Sequence, residues 1–153
     1  DLQNTLPVGS NAISDNRKTT PIKDTLLQPK AWTQAVGITN SPTTNLNTPV
    51  PVPDLSATIR VGSAASTLRI SYTIDLFGSL SSQNPACYIF LNGVQVGSLK
   101  DVTINSVGQA MIISDTLRVS VGPGTHKVDV YWSTVSGTLT ANSTRRNLLV
   151  EEV

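Results

Sequence analysis

The sequence predicts an all-β protein: an antiparallel β-sandwich of jelly-roll type with an extended, Pro-rich N-terminal arm. Three observations carry this prediction. From Asp54 to the C-terminus, apolar residues recur at every second position. The runs are punctuated by Gly, Pro, Asn and Ser, and no stretch shows the 3.6-residue period of an amphipathic helix. Six to eight short strands spaced in this way imply a sandwich or a barrel, in which each antiparallel strand buries one of its two faces.

Residues 1–53 and 54–153 differ in character, so the domain boundary is placed between Pro53 and Asp54. The first part contains seven of the nine prolines, among Asn, Thr and Ser. Proline fixes φ, removes a backbone donor and pushes the preceding residue toward extended geometry, which argues against a packed helix there. The segment NTPVPVPDL reads as a stiff connector. AWTQAVGIT is its one strand-like interruption, with Trp32 and Val36 available to anchor the arm on a surface.

Beyond Asp54 the elements follow in order. LSATIRV places Leu55, Ala57, Ile59 and Val61 on one face; LRISYTIDL points Leu68, Ile70, Tyr72, Ile74 and Leu76 inward and Asp75 outward. CYIFLNGVQVGSL is two short strands around Asn92-Gly93, a dipeptide that suits a type I′ turn because both central positions take positive φ. DTLRVSV alternates through Leu117, Val119 and Val121. Pro123 and Gly124 suit positions i+1 and i+2 of a type II turn, which makes a hairpin between LRVSV and HKVDVYW. In the second of these strands His126, Val128, Val130 and Trp132 share the apolar face. RRNLLVEEV closes the chain as a last strand.

The chain holds 11 Lys plus Arg against 10 Asp plus Glu, and only 14% of its residues are charged. Such a balance offers no footprint for nucleic acid and no basic surface for anionic lipid, and no apolar run is long enough to span a bilayer as a helix. One histidine and one cysteine cannot build the usual zinc sets, so neither a metal nor another cofactor is expected. His126 and Asp129 lie three apart on a strand and point to opposite faces, which rules out coupling them as base and orienter. His126 is expected to be satisfied by a backbone carbonyl. Asp75, Asp101, Asp115 and Asp129 fall at outward strand positions or near turns, where a solvated role is expected, and no enzymatic activity is anticipated. Cys87 reads as a buried thiol. The Asn142-Ser143-Thr144 sequon matters only in a eukaryotic secretory route. Among the aromatic residues Trp32, Tyr72, Tyr88, Tyr131 and Trp132, only Tyr131 falls cleanly on an outward strand position and stands as a weak candidate for ligand binding.

The order of these features resembles a jelly-roll domain found at the C-termini of tailed-bacteriophage virion proteins of tail-fibre, tail-tip and head-decoration types. The resemblance spans about residues 50–153. Its most distinctive parts are the Gly-Thr-His entry into the Val128, Val130, Trp132 strand and a finish formed by Arg146, Leu148, Val150 and Glu151. It implies a non-enzymatic homotrimer on the virion exterior. Residues 1–49 are expected to engage other virion proteins, and a host-surface glycan is an additional possible partner. A tail-fibre or tail-tip role in host attachment is the first expectation, a capsid decoration protein the second, and a free-standing carbohydrate-binding module the third. Structural weight is expected on Trp132, Val128, Val130, Pro123, Gly124, Asn92 and Gly93. Asp1 in place of Met suggests a processed product or a fragment.

Overall fold

The computed structural model describes residues 30–37, 41–43, 47–62 and 64–153. Most of the expected arm, residues 1–29, lies outside the described residues. Nine strands appear among them: β1 (Trp32–Val36), β2 (Ser41–Thr43), β3 (Val50–Val61), β4 (Ser66–Gly78), β5 (Ala86–Leu91), β6 (Val94–Asp101), β7 (Ala110–Val121), β8 (Gly124–Ser133) and β9 (Leu139–Glu152). They form two antiparallel sheets. One runs β1-β9-β4-β7, with β2 also paired to β9; the other runs β3-β8-β5-β6. From β3 onward the chain changes sheet at every connection except β5 to β6, and this winding makes the sandwich a jelly roll.

The alternation read from the sequence survives in detail. Leu55, Ala57, Ile59 and Val61 of β3 meet Leu68, Ile70, Tyr72, Ile74 and Leu76 of β4 and Val128, Val130 and Trp132 of β8 in one buried core. Trp132 is wholly enclosed, and its indole N–H finds no acceptor, so the ring contributes area and shape rather than a hydrogen bond. Asn92 and Gly93 take φ of 53° and 84° and bring Leu91 opposite Val94, as a type I′ hairpin requires.

Four expectations need correction. The boundary at Asp54 falls inside β3, which begins at Val50 and already buries Val52; the compact unit starts at Ala31. Proline did not exclude Val50–Pro53 from the sheet because β3 is an edge strand, where a missing donor faces no partner. Trp32 and Val36 do not anchor β1 on its own sandwich. They stay 67% and 54% exposed, while the strand is held by its pairing with β9 and by Ala31 and Ala35 packed on the core. The segment around Pro123 is no hairpin: β7 belongs to the β4 sheet and β8 to the β3 sheet, so Gly122 and Pro123 carry the chain across the sandwich. Gly124 does take a positive φ, 129°, a value open to glycine, but it does so as the first residue of β8 rather than as the corner of a type II turn. Lastly, Asp75 and Asp129 are buried instead of solvated. Asp129 pairs with Lys127 at 2.7 Å, and Asp75 faces Arg145 at 3.6 Å.

One polar group crosses the core. Arg146 shares the inward parity of Leu148 and Val150, and its side chain is fully buried. Its guanidinium donates to the carbonyls of Ala141 (3.0 Å) and Asn142 (3.3 Å), at a point where β9 bulges against β4, and to Asp54 Oδ2 (2.7 Å) on the facing sheet. Asp54 sits at a matching irregularity of β3 with φ of 67°. A buried charge is tolerated when it is paired and hydrogen-bonded, and here the pair ties two bulges together across the sandwich.

Candidate functional site

Two outer surfaces could meet a partner. The first is the outward face of the β1-β9-β4-β7 sheet. Strand register lays out its rows: Trp32, Glu151, Arg69 and Arg118; then Gln34, Leu149, Ser71 and Thr116; then Val36, Asn147, Thr73 and Ser114. Beyond these come Asp75 beside Ile112 and Phe77 beside Ala110. Apolar side chains therefore gather in two islands on opposite edges. Trp32, Val36 and Leu149 lie at the β1 edge, and Phe77 with the 54%-exposed Ile112 lies at the β7 edge. Hydroxyl and amide rows separate them, with the Arg69–Glu151 pair at 2.7 Å across one end.

The second surface is the outward face of β5 and β8. Tyr131, the aromatic singled out from the sequence, is half-buried there and stacks on Phe90 with ring centres 4.2 Å apart and planes 25° from parallel. Tyr88 lies directly across from Tyr131, and its hydroxyl hydrogen-bonds Ser133 Oγ at 2.9 Å. Sequence reading missed Tyr88 and Phe90 as outward residues. The signal was present, since Cys87 and Ile89 are the buried partners of the same alternation. Beside Tyr88 opens a groove of about 660 Å³ lined by Asn47, Asn84, Leu99, Asp101 and Ser133 among others.

The remaining candidates are scaffold. His126 Nε2 meets the Gly122 carbonyl at 2.8 Å, and Nδ1 meets Asn92 Nδ2 at 3.0 Å. Asn92 in turn accepts from the Lys127 amide through Oδ1 (2.9 Å), so His126 and Asn92 brace the β5–β6 turn against β8. Tyr72 and Cys87 lie in the core. Burial raises both above their ordinary values of 10.0 and 9.0, with Cys87 and then Asp115 adding to the rise at Tyr72, which keeps phenol and thiol neutral and unreactive. Among the described residues no three of His, Cys, Asp and Glu converge as metal ligands.

Neither a family model nor a curated protein matches this chain. Solved structures do. The TNF protein Eiger from S. frugiperda aligns over 82% of this chain and 94% of its own, with a TM-score of 0.53 and 6% identity. Dimeric latent PorU from Porphyromonas gingivalis aligns over 80% of this chain but 12% of its own, with a TM-score of 0.55 and 6% identity. The infectious bursal disease virus Gx strain structure aligns over 83% of this chain and 32% of its own, with a TM-score of 0.48 and 13% identity. At such identities the likeness to the first two is one of fold, the jelly-roll sandwich already traced strand by strand.

Proposed function

We propose that the protein is a non-enzymatic structural subunit on the exterior of a tailed-bacteriophage virion, a homotrimer of tail-fibre or tail-tip type that serves host attachment. The observation that carries this reading is the split apolar face of the β1-β9-β4-β7 sheet. Trp32 and Val36 occupy one edge and Ile112 the other, and a face divided in this way favours a head-to-tail contact in which one copy's β1 edge meets the next copy's β7 edge. Repeated by rotation, such a contact closes into a ring, whereas a two-fold dimer would pair like with like. A net charge of +1 opposes this association very little. The jelly-roll fold and the Arg146, Leu148, Val150, Glu151 finish support the virion assignment, and residues before β1 are the part proposed to engage other virion proteins.

Light scattering on the purified chain tests the assembly. The expected mass is three times 16.2 kDa, falling to a single copy in Ile112→Arg with the melting temperature of the core retained. A monomer at micromolar concentration overturns the reading. Immunogold labelling of particles then separates tail from capsid, and label on the capsid replaces the attachment role with decoration.

A further inference from the structure

The groove beside Tyr88 has the composition of a sugar site. Its volume of about 660 Å³ lies within the range of small-molecule pockets, roughly 300–1,000 Å³. One wall is an aromatic ring. The others present the hydroxyl of Ser133, the amides of Asn47 and Asn84 and the carboxylate of Asp101. A pyranose has the matching character, with one face of C–H groups that packs on an aromatic ring and an equator of hydroxyls that seek amide and carboxylate partners. Among the described residues no Lys, Arg or His lines the groove and Asp101 is the one charged residue, so an acidic sugar meets one repulsive carboxylate there.

The walls are also fixed before any ligand arrives. Gln83 is buried and donates through Nε2 to the carbonyls of Ser136 (2.7 Å) and Thr138 (3.3 Å). Its Oε1 accepts from the Leu80 amide (3.1 Å), and its backbone exchanges hydrogen bonds with Ile104. One residue thereby ties together the connections that frame this end of the sandwich, β4–β5 and β8–β9 through its side chain and β6–β7 through its backbone. Asn84 is further held by donating to Thr103 Oγ1 at 2.9 Å. Preorganised walls lower the ordering cost of binding.

We propose that this groove binds an uncharged saccharide, with a hexose ring stacked on Tyr88 and its hydroxyls taken by Asp101, Asn84 and Asn47. The aromatic surface continues past the groove, because Tyr131 lies across from Tyr88 and Phe90 stacks on Tyr131. Additional sugar units extend along these rings, so an oligosaccharide binds more tightly than its monomer. The inference deepens the attachment reading and rests on it for its biological purpose.

Saturation-transfer NMR on the full chain tests it, using the methyl glycosides of glucose, galactose, mannose and N-acetylglucosamine, their neutral linear oligosaccharides, and sialyllactose as the charged comparison. The expected result is transfer to at least one neutral sugar and none to sialyllactose. Affinity should fall about tenfold, equivalent to 1.4 kcal/mol, in Tyr88→Ala and in Asp101→Ala, and be retained in Tyr88→Phe. Tyr131→Ala should weaken the oligosaccharide and leave the monosaccharide unchanged. Asp101 is exposed at the end of edge strand β6, so its substitution reports on binding even if Tyr88→Ala loosens the fold. Transfer to no neutral sugar, transfer to sialyllactose alone, or binding indifferent to both Tyr88→Ala and Asp101→Ala overturns the inference. A trimer that binds no sugar refutes the groove and keeps the building block; a monomer that binds sugar does the reverse.

Discussion

Asp54→Asn is the most discriminating test of how the sandwich is held together. On exposure alone the substitution looks harmless, since the Asp54 side chain is 41% exposed and surface changes usually stay within about 0.5 kcal/mol. The structure requires a larger cost, because Asp54 is the carboxylate that answers the fully buried guanidinium of Arg146 at 2.7 Å. Asparagine tolerates the positive φ of 67° at this position, so backbone strain does not enter and the effect is electrostatic. A hydrogen bond between charged groups is worth about 1.5–3 kcal/mol, and the expected loss is about 2 kcal/mol. Arg146→Met should cost about 3–5 kcal/mol, since it also strips donors from the Ala141 and Asn142 carbonyls. The double variant should cost little more than Arg146→Met alone, a coupling of about 2 kcal/mol. Arg69→Ala, which breaks a half-exposed pair with Glu151, should lose under about 1 kcal/mol. Urea unfolding followed by tryptophan fluorescence reads all four, with an unchanged m-value securing the comparison. Additive losses in the double variant, or an Asp54→Asn midpoint indistinguishable from the parent, would refute the reasoning.

Trp132→Ala should cost about 3–5 kcal/mol, read by urea titration followed by circular dichroism since the buried fluorophore is gone, because it empties the largest fully buried side chain. His126→Ala removes hydrogen bonds at the sandwich end and should cost about 1 kcal/mol, leaving trimer mass and sugar binding intact. Cys87 and Tyr72 bind their protons more tightly when folded than when unfolded. Stability is therefore fully present below the ordinary thiol value of 9.0 and falls as pH rises above it, by up to about 1.4 kcal/mol per pH unit for each group. Urea midpoints between pH 8 and 11 check this, and the native thiol should resist iodoacetamide until the chain unfolds. A chain beginning at Ala31 should keep its fold, whereas one beginning at Val50 loses β1 and β2 and should melt on the order of 10 °C lower by calorimetry.

Much of this architecture is legible from the residues. Period-two runs with a buried face identify β4 and β8 to within two residues at each end and the second half of β3, because each covers the same core, and Asn92-Gly93 announces its own turn. Legibility fails where a tertiary partner decides. Pro123-Gly124 looks like a hairpin corner because local turn chemistry cannot say whether the following strand joins the same sheet or the opposite one. Asp75 sits at an outward position, and only the bulge of β9 and Arg145 explain its burial. Arg146 occupies an inward position that a charge should avoid, and its partner Asp54 is 92 residues away. The groove itself was not legible: Tyr131, which stood out, lies on the aromatic face beside it, and the contribution of Tyr88 depends on a cross-strand register that alternation alone does not supply.

The amide of Gln83 bears on how this molecule can change over generations. It clamps two connections through their main-chain atoms while the Gln83 backbone holds a third at Ile104, and those atoms are the same whatever side chains the loops carry. Leu80, Val107 and Val135 project from those connections into solvent. They can be exchanged freely while the frame beneath them stays put, so this end of the sandwich works as a display scaffold whose lettering is rewritable and whose page is fixed. Randomising these three positions in a library should yield mostly folded proteins, and including Gln83 in the same library should not.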